Sequence, residues 1–204
     1  MVDLLIYSPI KAQTASFSET RFGGLPVAEK PQEFEWPCCA YCKLPMQFLG
    51  KIASGNRLYQ IFMCQNDPGV CEEWSPDDGG NKVVVTPLTT LASVSSPAEG
   101  ETTRAEEYAA HLVTVDANDY EAARKKFTED NNMSYRQILG QMGGSPFWLQ
   151  GDDTPTCDLC QKPMHFLAQL EEGPDNKTAM NFGGGSAYVY KCDCGDCAKF
   201  LWQC

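Results

Sequence analysis

Apolar runs separated by clusters of Gly, Pro, Asp and Asn divide the chain into three parts. Leu58–Met63 and Ala187–Tyr190 are rich in aromatic and β-branched residues and predict strands. Val83-Val84-Val85 predicts another strand, which passes into a Pro/Thr/Ser loop by residue 94, and Pro97–Thr103 reads as a polar connector. Arg104–Leu112 then carries a helical spacing, with Tyr108 and Leu112 one turn apart. Asn118 or Asp119 offers an N-cap to a helix over Tyr120–Phe127, whose Ala122, Ala123 and Phe127 are expected on one stripe. Ser134 caps a third short helix, Tyr135–Met142, that stops at Gly143-Gly144. The expectation is an α+β protein, with two β-rich units in antiparallel sheets and a mainly helical middle segment. Its boundaries are a first repeat over 1–82, an insert over 83–140 and a second repeat over 141–204, together one two-lobed unit.

The outer parts repeat one another. Gly23-Gly24-Leu25-Pro26 leads to Cys39-Ala-Tyr-Cys42-Lys-Leu-Pro45-Met46-Gln47-Phe48-Leu49, and Gly143-Gly144-Ser145-Pro146 leads to Cys157-Asp-Leu-Cys160-Gln-Lys-Pro163-Met164-His165-Phe166-Leu167. Each copy then reaches its predicted strand, a cysteine (Cys64 or Cys192) and, ten residues later, a tryptophan (Trp74 or Trp202). A C-x2-C pair leading into one strand, with further cysteines after the returning strand, is the plan of a zinc ribbon, because tetrahedral zinc takes four sulfurs from two knuckles at one end of a hairpin. Eleven cysteines occur, an odd number that suits metal better than complete disulfide pairing. The first set is Cys39, Cys42, Cys64 and Cys71; Cys38 is spare, since using it breaks the spacing of the other copy. In the second set Cys157, Cys160 and Cys192 follow by alignment. Cys197 is preferred as the fourth because its separation from Cys192 comes nearer to that of Cys71 from Cys64, with Cys194 as the alternative; Cys204 is expected to be free. Two structural zinc ions are therefore expected, in closed sites that stabilise a fold and leave no position for a reactive water.

The net charge is −11, and it is spread along the chain: 6 basic and 10 acidic residues over 1–80, 6 and 9 over 81–140, and 4 and 8 over 141–204. Such a field repels phosphate backbones and anionic membranes, and favours association with a basic protein partner. No run of about 18 apolar residues occurs, and the opening MVDLLIYSPI has no basic leader, so the expectation is a cytoplasmic protein with neither a membrane span nor a nucleic-acid ligand.

Groups for covalent or acid–base catalysis are sparse. His165 stands where the first copy has Gln47 and reads as an exposed strand residue; His111 falls within the predicted helix beside Tyr108. Asn181-Phe-Gly-Gly-Gly-Ser186 lacks the lysine and helix of a phosphate cradle and reads as a tight turn. Glu72-Glu73, Asp77-Asp78 and Asp152-Asp153 are expected to diverge into water. Trp36, Trp74, Trp148 and Trp202 occupy matching places in the two copies, as padding at a hydrophobic seam or as anchors for a partner.

Arg21-Phe22-Gly-Gly-Leu-Pro26, the two C-x2-C-x2-P-M-x-F-L cores, Leu139-Gly140 followed by Gly143-Gly144-Ser-Pro146-Phe147-Trp148-Leu149-Gln150, and Phe200-Leu201-Trp202-Gln203-Cys204 resemble the YwqG-like family of bacterial proteins over roughly residues 20–204. Both halves are also similar to the repeats of the programmed cell death protein 2 family, zinc-containing chaperones of a ribosomal protein. The resemblance implies a duplicated α+β fold, supplies no catalytic residues, and points to toxin–immunity loci. The expected function is thus a non-catalytic, zinc-containing protein-binding module, foremost an immunity-type inhibitor of a cognate toxin. The alternatives are a chaperone for a basic ribosomal protein and an enzyme with an unrecognised site.

Overall fold

A computed structural model describes residues 1–9 and 17–204; residues 10–16, within the expected first repeat, lie outside the described residues. In chain order the strands are β1 (Val2–Pro9), β2 (Arg21–Phe22), β3 (Val27–Ala28), β4 (Gln47–Ser54), β5 (Arg57–Met63), β6 (Asn81–Pro87), β7 (Ala92–Ser93) and β8 (Tyr108–Val115). The helix α1 (Tyr120–Asn131) follows, and then β9 (Ile138–Met142), β10 (His165–Glu171), β11 (Ser186–Lys191) and β12 (Ala198–Gln203). The chain forms two compact units, Met1–Ser8 with Ala110–Cys204, and Pro9–Ala109.

The expected helical middle is corrected by these elements. Among the described residues α1 is the only α-helix. Arg104–Leu112, read as a helix, instead runs into β8, where Tyr108 and Ala109 pair with Phe22 and Arg21. Tyr108 is buried while Leu112 is exposed, so the pair marks no helical stripe. Tyr135–Met142, read as a third helix, is one 3-10 turn capped by Ser134 and then β9. Gly140 shows why β9 is a strand: its φ is +139°, and a Cβ there would lie 1.9 Å from the Gln169 carbonyl oxygen of β10. Only glycine permits that approach. The protein is therefore mostly β, and the α+β layout with a helical insert does not hold.

In the unit formed by Met1–Ser8 and Ala110–Cys204 the strands run in the order β12, β11, β10, β9, β1 and β8. Pairings β12–β11, β11–β10, β10–β9 and β9–β1 are all antiparallel. The Asp119 carboxylate accepts from the Ala122 N–H at 2.8 Å to start α1, and Asn132, at φ 50°, ends it. Tyr120, Ala123 and Phe127 form the buried stripe and pack on Leu4, Ile6, Val115 and Ile138; Ala122, expected on that stripe, is exposed. At one edge of α1, the Tyr120 hydroxyl donates to the half-buried Glu171 at 2.8 Å, and Arg124 faces the same carboxylate at 3.6 Å.

In the unit Pro9–Ala109 the order is β2, β4, β5 and β6, again antiparallel, with β3 and β7 paired separately. Phe22, Phe48, Leu49, Ile52, Leu58, Ile61, Phe62 and Met63 are almost wholly buried. Both β4–β5 and β10–β11 carry a bulge directly after the phenylalanine of the P-M-x-F motif, at Phe48/Gly50 and Phe166/Ala168.

Candidate metal centres

The two C-x2-C knuckles fold by the same hydrogen bonds. Cys39 N–H donates to Leu44 O and Lys43 N–H to Cys39 O; Cys157 N–H donates to Lys162 O and Gln161 N–H to Cys157 O, all at 2.9–3.0 Å. Lys43 and Gln161 take left-handed φ angles of 64° and 57°, turning the chain back toward the motif proline. Met46 N–H donates to Pro37 O and Met164 N–H to Pro155 O, each at 2.9 Å, tying the knuckle to the strand it enters. The sequence motif is thus a local turn whose geometry points two cysteine sulfurs inward from adjacent positions.

Four sulfurs meet in the first centre. Those of Cys39, Cys42, Cys64 and Cys71 all lie within 4.8 Å of one another, and Cys42 and Cys64 are 3.6 Å apart. Cys39, Cys64 and Cys71 are buried. Cys64, just past the end of β5, is fixed by its N–H donating to Gly80 O at 2.8 Å. A Cβ on Gly80 would lie 2.2 Å from Cys71 O, so glycine is what lets the two segments carrying Cys64 and Cys71 close together. Burial tends to raise the Cys39 thiol, but the Cys42 and Tyr41 N–H groups directed at its sulfur bring its pKa below the usual value. Burial and the neighbouring cysteines drive Cys71 the other way. Met46, Phe48 and Phe62 pack behind the quartet with Phe34 and Trp36. Trp36 meets Phe62 edge to face at 5.5 Å and donates through Nε1 to Met46 O at 2.8 Å, so its ring closes this cluster.

Asn66 is a site residue that the cysteine spacing does not reveal. Its Nδ2 lies 3.6 Å from Cys64 Sγ, 3.9 Å from Cys42 Sγ and 3.0 Å from Pro45 O, and its Oδ1 accepts from the Glu101 N–H at 2.8 Å. The clue available beforehand is its position two residues after the third cysteine. Glu73 departs from the expectation of solvated acidic pairs: it is 2% exposed and accepts from the Gly69 N–H at 2.6 Å, bracing the loop that carries Cys71.

In the second centre the sulfurs of Cys157, Cys160, Cys192 and Cys194 all lie within 4.8 Å of one another. Cys157 and Cys194 are 3.6 Å apart, and Cys160 and Cys192 3.4 Å. Cys197, preferred from spacing, is not in that group, and Cys194 stands in its place. The 192–197 loop is short, and Cys192 N–H donates to Cys197 O at 2.9 Å, folding the segment back so that Cys194 reaches the quartet. Cys197 nonetheless stays beside Cys157 and packs against the same cluster. The Cys160 N–H, foremost among several donors to its sulfur, brings the Cys157 thiol down to about 6. Met164, Tyr188, Tyr190 and Leu201 back the site, and Trp148 lies on Tyr188 at 4.4 Å, in the role of Trp36. Lys199 on β12 pairs with Asp158 of the knuckle at 2.7 Å.

Cys38 and Cys204 are exposed and belong to neither quartet. His165 is exposed on β10 and lies 3.0 Å from Asp193, and His111 is exposed on β8. Both quartets can hold a metal ion: four thiols converge at each, and the N–H groups directed at Cys39 and Cys157 favour the thiolate form that binds it. Among the described residues no helix is long and apolar enough to cross a membrane.

No family model matches the chain. An uncharacterized protein, YpfL of Salmonella typhimurium, is 53% identical over 32 residues, which are 16% of this chain. The chain spans 8% of the length of that relative.

Proposed function

We propose that this protein is a non-catalytic binding module built on two structural zinc ions, and that its partner is a basic protein. The observation that carries the reading is the pair of quartets, each made wholly of cysteine sulfurs and backed by its own aromatic cluster. Sulfur-only tetrahedral sets select zinc among the abundant divalent metals, and a filled set gives folding energy rather than a reactive water. The recurrence of one knuckle geometry and one aromatic cap in both centres supports an internal duplication. A net charge of −11 favours a basic partner, and with the YwqG-like resemblance of the sequence it supports an immunity-type inhibitor that covers a basic toxin surface.

The test has two readouts on one preparation. Elemental analysis of the reduced protein should find two zinc ions per chain; one or none refutes the structural basis. Affinity capture of the zinc-loaded protein, followed by mass spectrometry and a growth-rescue assay, should yield a basic toxin domain whose activity the protein abolishes. A basic ribosomal protein recovered instead would transfer the function to chaperoning.

A further inference from the structure

The two centres differ chemically at one position. Two residues after the third cysteine, the first centre has Asn66 and the second has Cys194. Asn66 presents an amide to the Cys64 and Cys42 sulfurs, a group that neither ligates zinc nor oxidises. Cys194 instead completes a quartet with Cys157, Cys160 and Cys192, and Cys197 stands beside Cys157 as a fifth thiol. Both Cys194 and Cys197 adjoin the Cys157 sulfur, and a tetrahedral ion takes only four ligands. Exposure separates the centres as well: Cys194 is exposed and Cys160 and Cys197 are half-buried, whereas three of the four cysteines of the first centre are buried. The two thiols that compete for the fourth position therefore both meet solvent, Cys194 fully and Cys197 in part.

We propose that the second centre is a peroxide-responsive metal site, in which Cys194 and Cys197 share the fourth coordination position and the one left out reacts with a hydroperoxide. This rests on the zinc reading above. The free sulfur attacks one oxygen of hydrogen peroxide; the O–O bond breaks, the sulfur becomes a sulfenic acid, and the departing oxygen takes up the thiol's proton to leave as water. The other thiol of the pair then attacks the sulfenic sulfur, the S–S bond forms, and the hydroxyl departs with that thiol's proton as a second water. Two thiols lose two electrons, and the peroxide takes them up as two waters. The C-x2-C spacing of Cys194 and Cys197, on a turn that bends at Gly195 with φ 119°, is one at which thiol–disulfide chemistry is common. Cys157, Cys160 and Cys192 remain as three ligands, and the ion becomes exchangeable. The first centre has no spare thiol within its quartet and keeps its metal.

The experiment mixes reduced, zinc-loaded protein with hydrogen peroxide in the presence of a chromogenic zinc chelator, with disulfides mapped by mass spectrometry. Wild type should release one of its two zinc ions and form a Cys194–Cys197 disulfide. Cys194→Asn, which copies the first centre, should bind two zinc ions when reduced and release neither over the same interval. Asn66→Cys should render the second ion releasable as well. Equal release from wild type and Cys194→Asn would overturn the proposal, and so would simultaneous loss from both centres. Reduced Cys194→Asn holding one zinc would also overturn it, since Cys197 would then not substitute. Fewer than two zinc ions in reduced wild type, measured before peroxide is added, would instead refute the zinc reading.

Discussion

Truncating Asn66 to alanine tests whether the first centre depends on its surroundings as well as its sulfurs. The substitution removes an amide whose Nδ2 lies 3.6 and 3.9 Å from two cysteine sulfurs and 3.0 Å from Pro45 O, and whose Oδ1 holds the Glu101 N–H. A hydrogen bond to a charged group contributes about 1.5–3 kcal/mol. The two sulfur contacts are long and share one amino group, so they count together as one such bond, about 2 kcal/mol. At 1.4 kcal/mol per decade that is about 30-fold in zinc affinity, within the 10–100-fold typical of groups that orient metal ligands. The bonds to Pro45 and Glu101 act on folding instead, at about 1 kcal/mol each. Competition with a chelator of known affinity resolves two stepwise constants, and Asn66→Ala should weaken one and leave the other unchanged. Asn66→Asp should weaken the same constant further, because it keeps an acceptor for Glu101 but turns a carboxylate toward thiolates. Unaltered constants in Asn66→Ala, or an equal loss in both, would refute the assignment of Asn66 to the first centre.

Gly140→Ala should destabilise the unit containing β9 by about 3 kcal/mol, read by urea unfolding, since it combines a positive φ with a Cβ placed 1.9 Å from Gln169 O. Cys38→Ser should retain two zinc ions and shift stability by less than about 0.5 kcal/mol, because Cys38 is exposed and outside the quartet, whereas Cys39→Ser should lose one ion by elemental analysis. Burial, opposed by Glu107 and reinforced by Arg21, holds the Lys51 ammonium down to about 8. The unfolded chain, with a lysine pKa of about 10.4, then binds the extra proton between those values, so this residue makes stability rise with pH across that window. Denaturation of wild type and Lys51→Met from pH 7 to 10.5 should show their difference growing in favour of wild type by up to about 3 kcal/mol.

The knuckles were legible because each turn is local: the cysteines, the left-handed position and the motif proline lie within seven residues, and the same bonds recur at both places. The choice between Cys194 and Cys197 was not, since chain separation does not tell which sulfur a short loop turns inward. Tyr108 and Leu112, spaced by four, do not distinguish helix from strand, and what decides is the pairing of Tyr108 and Ala109 with Phe22 and Arg21, within the unit Pro9–Ala109 and nearly ninety residues earlier. β9 has four consecutive buried residues and so no alternation to betray a strand; its partners lie on either side of it in the chain, β1 far earlier and β10 after the second knuckle. α1 could be read from its own residues through the Asp119 cap, as β5, β6 and β11 could from their runs of aromatic and β-branched residues, though the buried stripe of α1 runs through Tyr120, Ala123 and Phe127 without Ala122.

The pairing of β1 with β9 has a consequence for synthesis. On one side Asp3, Leu4, Leu5 and Ile6 pair with Ile138–Met142, on the other β1 neighbours β8, and Pro9–Ala109 forms a contiguous unit that follows β1 in the chain. At about 5–20 residues per second, the ribosome delivers β8 roughly five to twenty seconds and β9 roughly seven to twenty-seven seconds after β1. The intervening hairpins β4–β5 and β5–β6 close over short spans and can form meanwhile. A newly made chain therefore trails an apolar strand with no partner while the unit it brackets is already able to fold. During that interval the strand is open to chaperones, or to the same strand of a neighbouring nascent chain.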